Sequence, residues 1–235
     1  MSLQKSINQR SYIYFVLFFL LMVWAFWKTY FTRIVDQENY RMHLHGIALV
    51  LWCTMLVVQP YLIKAKKNTL HKAIGKASYV LVPILIFTTF DLLRYRIHTM
   101  PSIDYTAVAL VVNALIAFLI FYGLAIYYRH DSARHSRFMV ATVFPFLTPV
   151  TDRIIHIYFP STLKFFPALM GQANVPLFGF LLADVIVLAL SIWDWNAHKR
   201  LIFPFILVAL LIYHYSFNFF YQYQFWQTFS EWLMN

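Results

Sequence analysis

The chain has 235 residues, of which 61% are hydrophobic, 20% are aromatic and only 12% are charged. A soluble domain has about 45–50% apolar and about 25% charged residues, so this composition excludes an ordinary cytosolic enzyme, a disordered tail and a secreted disulfide scaffold. The net charge of +10 favours Lys and Arg in the cytoplasmic loops of a membrane protein, with no need for nucleic acid as a partner. A single cysteine, Cys53, also excludes a cysteine metal cage.

Several long apolar segments follow one another along the chain. A spanning helix needs about 20 mainly apolar residues, because the hydrocarbon layer is about 30 Å thick, and on this criterion we count about seven segments. The predicted spans cover residues 12–31, 43–63, 75–97, 105–128, 137–158, 174–195 and 201–221. The gaps are too short for a soluble domain, so the sequence predicts an all-α integral membrane bundle that forms one polytopic domain over residues 1–235.

The distribution of basic residues sets the expected orientation. Twelve Lys and Arg residues fall on the side of the N-terminus and seven on the other side. Because positive residues favour the inside, we expect a cytoplasmic N-terminus and an external C-terminus. The first segment follows Lys5 and Arg10 but has no small-x-small cleavage site, so we interpret it as a retained anchor. The aromatic segment 217–232 is typical of the headgroup region.

Ionisable residues within or beside the spans are the most informative, because each costs about 2.5–3.5 kcal/mol at the centre of a spanning helix. The predicted topology sorts them into two layers. The outer layer contains His43, His45, Asp91, Arg94, Asp152, Arg153, His156 and His214, with Asn218 one turn later. The inner layer contains His71, His130, His135, Asp194 and His198. Asp184 lies close to mid-membrane, and Asn113 partly so.

Helical spacing places some of these residues on a common face. Asp91 and Arg94 are three residues apart and can form a structural ion pair, as can Asp152 and His156 at a spacing of four.

A polar-aromatic stripe runs along the second span. His45, Trp52 and Gln59 recur every seven residues and should face the bundle. Four histidines could equally be structural residues that satisfy a buried hydrogen bond, so their functional role stays open. They are His45, His71, His135 and His156.

Several known chemistries lack their motifs in this sequence. There is no phosphate-binding loop, no G-x-G-x-x-G turn and no H-E-x-x-H pair. The last span contains no lysine to carry retinal. Seven-helix zinc hydrolases of the ceramidase and adiponectin-receptor type have an H-x-x-x-H pair in the final helix, whereas this chain has His214 and Asn218.

A set of short motifs lies between residues 43 and 153. They are His45, Gln59-Pro60, His71-Lys72-Ala73-Ile74-Gly75-Lys76, His135-Ser136-Arg137-Phe138-Met139 and Arg153. This pattern resembles a bacterial family of multi-spanning membrane proteins described as a domain of unknown function. The sequence departs from the family at Phe138, where Trp is usual, and at Lys72 and Lys76, where Arg is usual. The resemblance implies a helical membrane fold and supplies no established activity. We expect the protein in the bacterial cytoplasmic (inner) membrane.

The leading hypothesis is a site for haem b or a transition metal that serves electron transfer, with a quinone or a redox protein as partner. Axial haem ligation requires histidines at the ends of neighbouring helices. We predict that His71 pairs with His135 on the inner side, and that His45 pairs with His156 or His214 on the outer side. This two-layer placement is similar to that of the cytochrome b561 class, whose members move electrons between two b haems.

Charged neighbours complete this hypothesis. Asp91 or Asp152 would orient an outer histidine or ligate a metal together with His45, His156 and His214. Arg94 or Arg153 would pair with haem propionates.

The spacing on the fifth span favours one haem or metal over two. His135 and His156 are 21 residues apart, which is about 31 Å along a helix.

Three other functions remain open. A proton-coupled transporter would use Asp184, Asn113 and the pair of Asp91 with Arg94 as a relay or substrate site, although paired Gly/Pro-broken helices are absent from the sequence. An assembly or structural subunit would bind other membrane proteins through its aromatic surface. A zinc-dependent membrane hydrolase is the third of these alternatives.

Overall fold

The computed structural model describes residues 3–234. In this part of the chain there are nine α-helices. They are α1 (Leu3–Phe26), α2 (Tyr40–Lys64), α3 (Asn68–His98), α4 (Tyr105–Tyr127), α5 (Ser132–Ala141), α6 (Phe144–Tyr158), α7 (Pro176–His198), α8 (Ile202–Phe219) and α9 (Gln224–Met234). Short 3-10 helices lie at Phe31–Arg33, Pro160–Phe165 and Phe220–Gln222. The strands β1 (Ala168–Leu169) and β2 (Gln172–Ala173) form an antiparallel hairpin in which Ala168 pairs with Ala173.

Seven helical segments of residues 3–234 are long and apolar enough to cross a membrane. The helices α5 and α6 together make the fifth of them. This confirms the predicted all-α, seven-span membrane fold. A helix suits this solvent because it satisfies its own backbone hydrogen bonds in hydrocarbon. The orientation of the termini stays a prediction.

Two of the helices extend further than hydropathy predicted. The third helix begins at Asn68, so His71 lies within its first turns instead of before it. The sixth span was predicted to end at residue 195 and its helix ends at His198, so His198 lies in the last turn instead of after it. Hydropathy marks the part of a helix that lies in hydrocarbon, whereas backbone hydrogen bonding continues into the polar headgroup region.

The fifth predicted span is two helices instead of one. The backbone turns at Thr142 and Val143, and Pro145 occupies the first turn of α6. Proline has no N–H to donate to the Ala141 carbonyl, and its ring disfavours a continuous helix at this position. Pro149 lies inside α6 without ending it.

The chain divides into two compact units between Ser102 and Ile103. In the first unit α2 packs against both α1 and α3. In the second unit α8 packs against α4, α5 and α7, and α6 packs against α4 and α7. The prediction of a single domain over residues 1–235 stays a prediction.

The aromatic segment predicted at residues 217–232 begins in α8, and its part from Gln224 onward forms the amphipathic helix α9. Its buried Trp226 donates from Nε1 to the Tyr105 carbonyl oxygen at 3.1 Å. The Tyr105 hydroxyl donates to Glu231 at 2.9 Å. Phe225 and Trp232 are exposed on the other side of the helix. One face of α9 therefore packs on α4, and an aromatic face remains for the interfacial region.

An aspartate caps the short helix α5. Asp131 accepts hydrogen bonds from the backbone N–H groups of Ala133 at 2.9 Å and Arg134 at 3.1 Å. These two hydrogen bonds, that from Arg134 first, and the nearby guanidinium groups of Arg134 and Arg200 lower the pKa of Asp131. The carboxylate thus satisfies N–H groups that the first turn of a helix leaves without partners.

A glycine allows α6 and α7 to approach closely. A Cβ atom on Gly179 would lie 2.6 Å from Thr148 Cα and 2.6 Å from Thr151 Oγ1. Because one of these neighbours is backbone, the clash cannot be relieved by a side-chain rotation alone. Small residues at such contacts are a general device of membrane helix packing.

We predict that Gly179→Ala lowers the free energy of unfolding by about 1–3 kcal/mol, because the added methyl group overpacks the contact of α6 with α7. The matched control is Gly123→Ala in α4, where a Cβ meets nothing within 4 Å and the change is neutral or stabilising by at most about 1 kcal/mol. Denaturant unfolding in detergent micelles measures both changes. Equal effects of the two substitutions would contradict the close contact.

We also predict that the cap of α5 weakens in acid. The folded pKa of Asp131 lies below the usual value, so its stabilisation is fully present above the unfolded pKa of about 3.9 and is lost as the pH falls through the folded pKa. Asn is a comparable capping residue without the charge, so Asp131→Asn should remove this pH dependence. The measurement is the difference in unfolding free energy between the two proteins between about pH 6 and pH 3.

Candidate functional site

An acid and a base meet within the spans of the second unit. Nδ1 of His214 on α8 and Oδ2 of Asp184 on α7 share a hydrogen bond of 2.9 Å. The side chains are 9% and 18% exposed, respectively. The imidazole stacks on the ring of Phe180, with centroids 4.2 Å apart. In residues 3–234 nothing hydrogen-bonds to the second carboxylate oxygen of Asp184, Oδ1, which is buried.

The hairpin of α7 and α8 explains why these two residues meet. The chain reverses at Lys199, which caps α7 in a left-handed conformation with φ of 53°. Asp184 precedes Lys199 by 15 residues and His214 follows it by 15 residues. Antiparallel helices have the same rise per residue, so residues equally distant from the turn lie at the same depth.

A ladder of amide groups continues from His214 toward one end of the hairpin. The Asn218 side chain donates to the His214 carbonyl oxygen at 2.7 Å. Asn174, just before α7, donates to Asn218 Oδ1 at 2.9 Å. Within the described residues, the buried Asn174 Oδ1 has no hydrogen-bond partner. The polar side chains thus lead from the acid–base pair to the beginning of α7.

Asn113 binds a side chain of α8, and its predicted part in a relay with Asp184 stays a prediction. Its side chain donates to Ser216 Oγ at 2.8 Å, and both groups are buried. This hydrogen bond connects α4 with α8 two residues beyond His214. Asn113 therefore contributes to the packing of α4 against α8.

A second ionic group of the second unit was missed by the sequence analysis. Arg137 of α5 donates to both carboxylate oxygens of Asp194 on α7, from Nε at 2.7 Å and from Nη2 at 2.6 Å. Both side chains are fully buried. Arg137 also donates to the Ala133 carbonyl oxygen at 2.8 Å, and His198 Nδ1 lies 3.3 Å from Asp194. The signal available in the sequence was the common inner depth of the two charges.

In the first unit Asp91 has a partner from another helix. Arg41 of α2 donates from Nε to Asp91 Oδ1 at 3.1 Å. Both residues lie 25 positions from Lys66, the left-handed residue at the turn between α2 and α3. The predicted pairing of Asp91 with Arg94 stays a prediction, and the Arg94 side chain is exposed.

The predicted stripe on α2 faces α3, as expected. His45 Nδ1 and Thr89 Oγ1 on α3 share a hydrogen bond of 3.3 Å. Trp52 is fully buried. In the orientation that satisfies both groups of the Gln59 amide, the oxygen accepts from the Gly75 N–H at 3.0 Å and the nitrogen donates to His71. Both partners belong to α3. His45 and His71 therefore contribute to the contact of α2 with α3.

The two remaining candidate histidines bind close neighbours. His135 donates from Nδ1 to the Ala125 carbonyl oxygen at 2.8 Å. His156 is 45% exposed and lies 3.4 Å from the Asp152 carboxylate, which confirms the predicted pair. It also binds the Asp152 carbonyl oxygen at 2.9 Å. Arg153 lies five residues before the end of α6 and is half-buried.

The metal hypothesis requires several ligands in one place. No group of three His, Cys, Asp or Glu side chains that could hold a metal ion occurs among the described residues. The donors His45, His156, His214, Asp91 and Asp152 are thus not gathered into such a group. The histidine pairs of the haem hypothesis join residues of different units, and they stay predictions.

Comparison with known proteins adds no relative to this picture. No family model matches the sequence, and neither the curated proteins nor the solved structures give a significant match.

We predict that Asp194→Asn lowers the free energy of unfolding by about 3–5 kcal/mol, because the buried guanidinium of Arg137 loses its countercharge. The control is Arg134→Gln, which removes an ion pair that is about half exposed (Asp131 with Arg134, 3.4 Å) and should cost less than about 1 kcal/mol. Replacing both partners, Arg137→Met with Asp194→Leu, should restore most of the loss. Unfolding in detergent micelles tests the series, and a double variant as unstable as Asp194→Asn would contradict the explanation.

Proposed function

We propose that this polytopic membrane protein is a proton-coupled carrier of a small solute, in which Asp184 and His214 hold the coupled proton. One observation carries the proposal. A carboxylate and an imidazole lie 2.9 Å apart within the spans, and one buried carboxylate oxygen has no hydrogen-bond partner in the described part of the chain. Ionisable groups within spanning helices commonly mark ion, proton or substrate pathways.

The charge of the pair supports a coupled role. With an ionised carboxylate and a neutral imidazole, the pair carries one negative charge, and one added proton makes it neutral. The unprotonated state is costly in a medium of low dielectric constant. Release of the proton is therefore favoured when a cation or a hydrogen-bond donor of a substrate takes its place beside Asp184. This exchange is the elementary step of proton-coupled transport.

The Arg137–Asp194 pair provides a contrast within the same unit. In that pair both carboxylate oxygens accept hydrogen bonds from a guanidinium that keeps its charge at any physiological pH. The partner of Asp184 is a histidine, the side chain that gains and loses a proton near neutral pH. Asp194 is therefore assigned to the fold and Asp184 to the exchange of protons.

The surroundings of the pair support access from one end. The amide ladder through Asn218 and Asn174 provides hydrogen-bonding groups toward the beginning of α7. Toward the other end of α7, the next buried side chain on this helix is the apolar Val187. A carrier needs such a polar approach on one side and a closed side opposite.

A redox function is the second candidate, and the same pair favours it. A histidine that ligates haem or a metal is commonly oriented by a carboxylate on its second ring nitrogen, and Asp184 binds Nδ1 of His214 in this way. Haem b or a transition metal on His214 would require a quinone or protein redox partner. An absorption spectrum with metal analysis separates the candidates, because a haem protein has a Soret band that shifts on reduction.

The proposed cellular location depends on the sequence. We propose the bacterial cytoplasmic membrane on the basis of the basic-residue bias and the resemblance described above. A role as an assembly or structural subunit predicts partner chains that purify with the protein and tolerance of substitutions at Asp184.

We predict that the purified protein in liposomes catalyses proton uptake and that Asp184→Asn abolishes it. The amide has nearly the shape of the carboxyl group but cannot bind the transported proton. The liposomes contain pyranine and a mixture of small cationic and hydrogen-bond-donating solutes that can exchange for the proton, and a potassium diffusion potential is set with valinomycin. The expected rate for Asp184→Asn is that of protein-free liposomes.

The matched control for this assay is Asp36→Asn, which removes one exposed carboxylate in the connection between α1 and α2. This variant should retain the rate of the unsubstituted protein. Uptake by Asp184→Asn at the rate of Asp36→Asn would contradict the proposal.

A further inference from the structure

A second polar feature of the second unit lies at the opposite end of its helical hairpin. A pocket of about 640 Å³ opens where α4 and α7 end and where α5 and α8 begin. Its charged lining consists of three cations and one carboxylate, Arg134, Lys199, Arg200 and Asp131. The basic-residue count assigns this end of the spans to the cytoplasm.

The carboxylate that lines the pocket, Asp131, already has partners within the protein. Asp131 caps α5 through two backbone N–H groups and lies 3.4 Å from Arg134. The Arg134 guanidinium also lies over the ring of Tyr128, at 4.8 Å. The guanidinium groups of Arg134 and Arg200 both act on this one carboxylate, so the three cations leave the pocket lining with a net positive charge.

Arg200 is the cation of the pocket with an unsatisfied donor among the described residues. Its Nη1 atom is buried and has no hydrogen-bond partner in residues 3–234. A buried donor without a partner costs about 1–3 kcal/mol, and more for a charged group. Helix α8 begins beside it at Ile202, without a side-chain cap on its first N–H groups. The uncapped N-terminus adds partial positive charge to the same wall.

The rest of the pocket wall is apolar. Leu124, Phe138, Ile202 and Phe205 line it, and they belong to helices that continue into the membrane spans. A small soluble anion would use the cations alone and leave these side chains uncovered. A ligand with an anionic head and hydrocarbon chains satisfies both parts of the pocket.

We propose that this pocket binds the phosphate headgroup of an anionic phospholipid. Arg200 and Lys199 hold the phosphate group, and the first methylene groups of the acyl chains lie along Ile202 and Phe205. This site is separate from the Asp184–His214 pair and does not depend on the proposed transport function.

The test measures lipid binding to the full chain in a neutral detergent by native mass spectrometry. Phosphatidylglycerol and phosphatidylcholine with identical acyl chains are titrated separately, and inorganic phosphate is added as a competitor. We expect phosphatidylglycerol to bind more tightly than phosphatidylcholine, and we expect Arg200→Gln and Lys199→Gln each to weaken its binding about fivefold. The control is Arg129→Gln, which removes an exposed cation of the connection between α4 and α5 that does not line the pocket.

Each outcome is decisive for the lipid site. Equal binding of the two lipids, or equal losses in the Arg129 and Arg200 variants, would overturn it. Displacement of phosphatidylglycerol by inorganic phosphate at equal concentration would show a site for a soluble phosphate instead. Only folded protein that elutes as a single species in gel filtration is compared, and the Lys199 variant provides an independent result where Arg200→Gln does not fold.

Discussion

Every polar side chain in the spans needs a partner from the protein itself, because hydrocarbon offers none. The structure meets this requirement chiefly between helices that follow one another in the chain. Arg41 and Asp91 join α2 to α3, and Asp184 and His214 join α7 to α8. The proposed function depends on the one buried carboxylate oxygen of the described residues that has no hydrogen-bond partner, Asp184 Oδ1.

Hydropathy was sufficient to predict the membrane fold and the number of spans, since the length of an apolar segment follows from bilayer thickness. The positions of the polar residues in the sequence also bear on which of them pair between helices. A turn at Lys66 places Arg41 opposite Asp91, and a turn at Lys199 places Asp184 opposite His214. Counting from the middle of the short predicted gap at residues 196–200 would have placed Asp184 within one turn of His214. The predicted gap at residues 64–74 was too long to place Arg41 opposite Asp91, because α3 begins earlier than hydropathy indicates.

Other features of the fold and of the candidate site could not be predicted by counting residues from a turn. The Arg137–Asp194 ion pair joins α5 to α7, which are not neighbours in the chain, so no turn fixes their register. The break before Pro145 could not be located from proline alone, since Pro149 in the same span leaves its helix intact. The histidine pairs were chosen for ligand chemistry alone, whereas the candidate histidines bind partners such as Thr89.

The central claim is that Asp184 exchanges a proton while His214 stays beside it. Infrared difference spectroscopy of the protein in bilayers, recorded between a neutral and an acidic pH, reports protonated carboxyl groups directly. The account predicts a carboxyl C=O band that is absent in Asp184→Asn, is displaced in His214→Asn and is retained in Asp152→Asn. A spectrum unchanged by Asp184→Asn would contradict it.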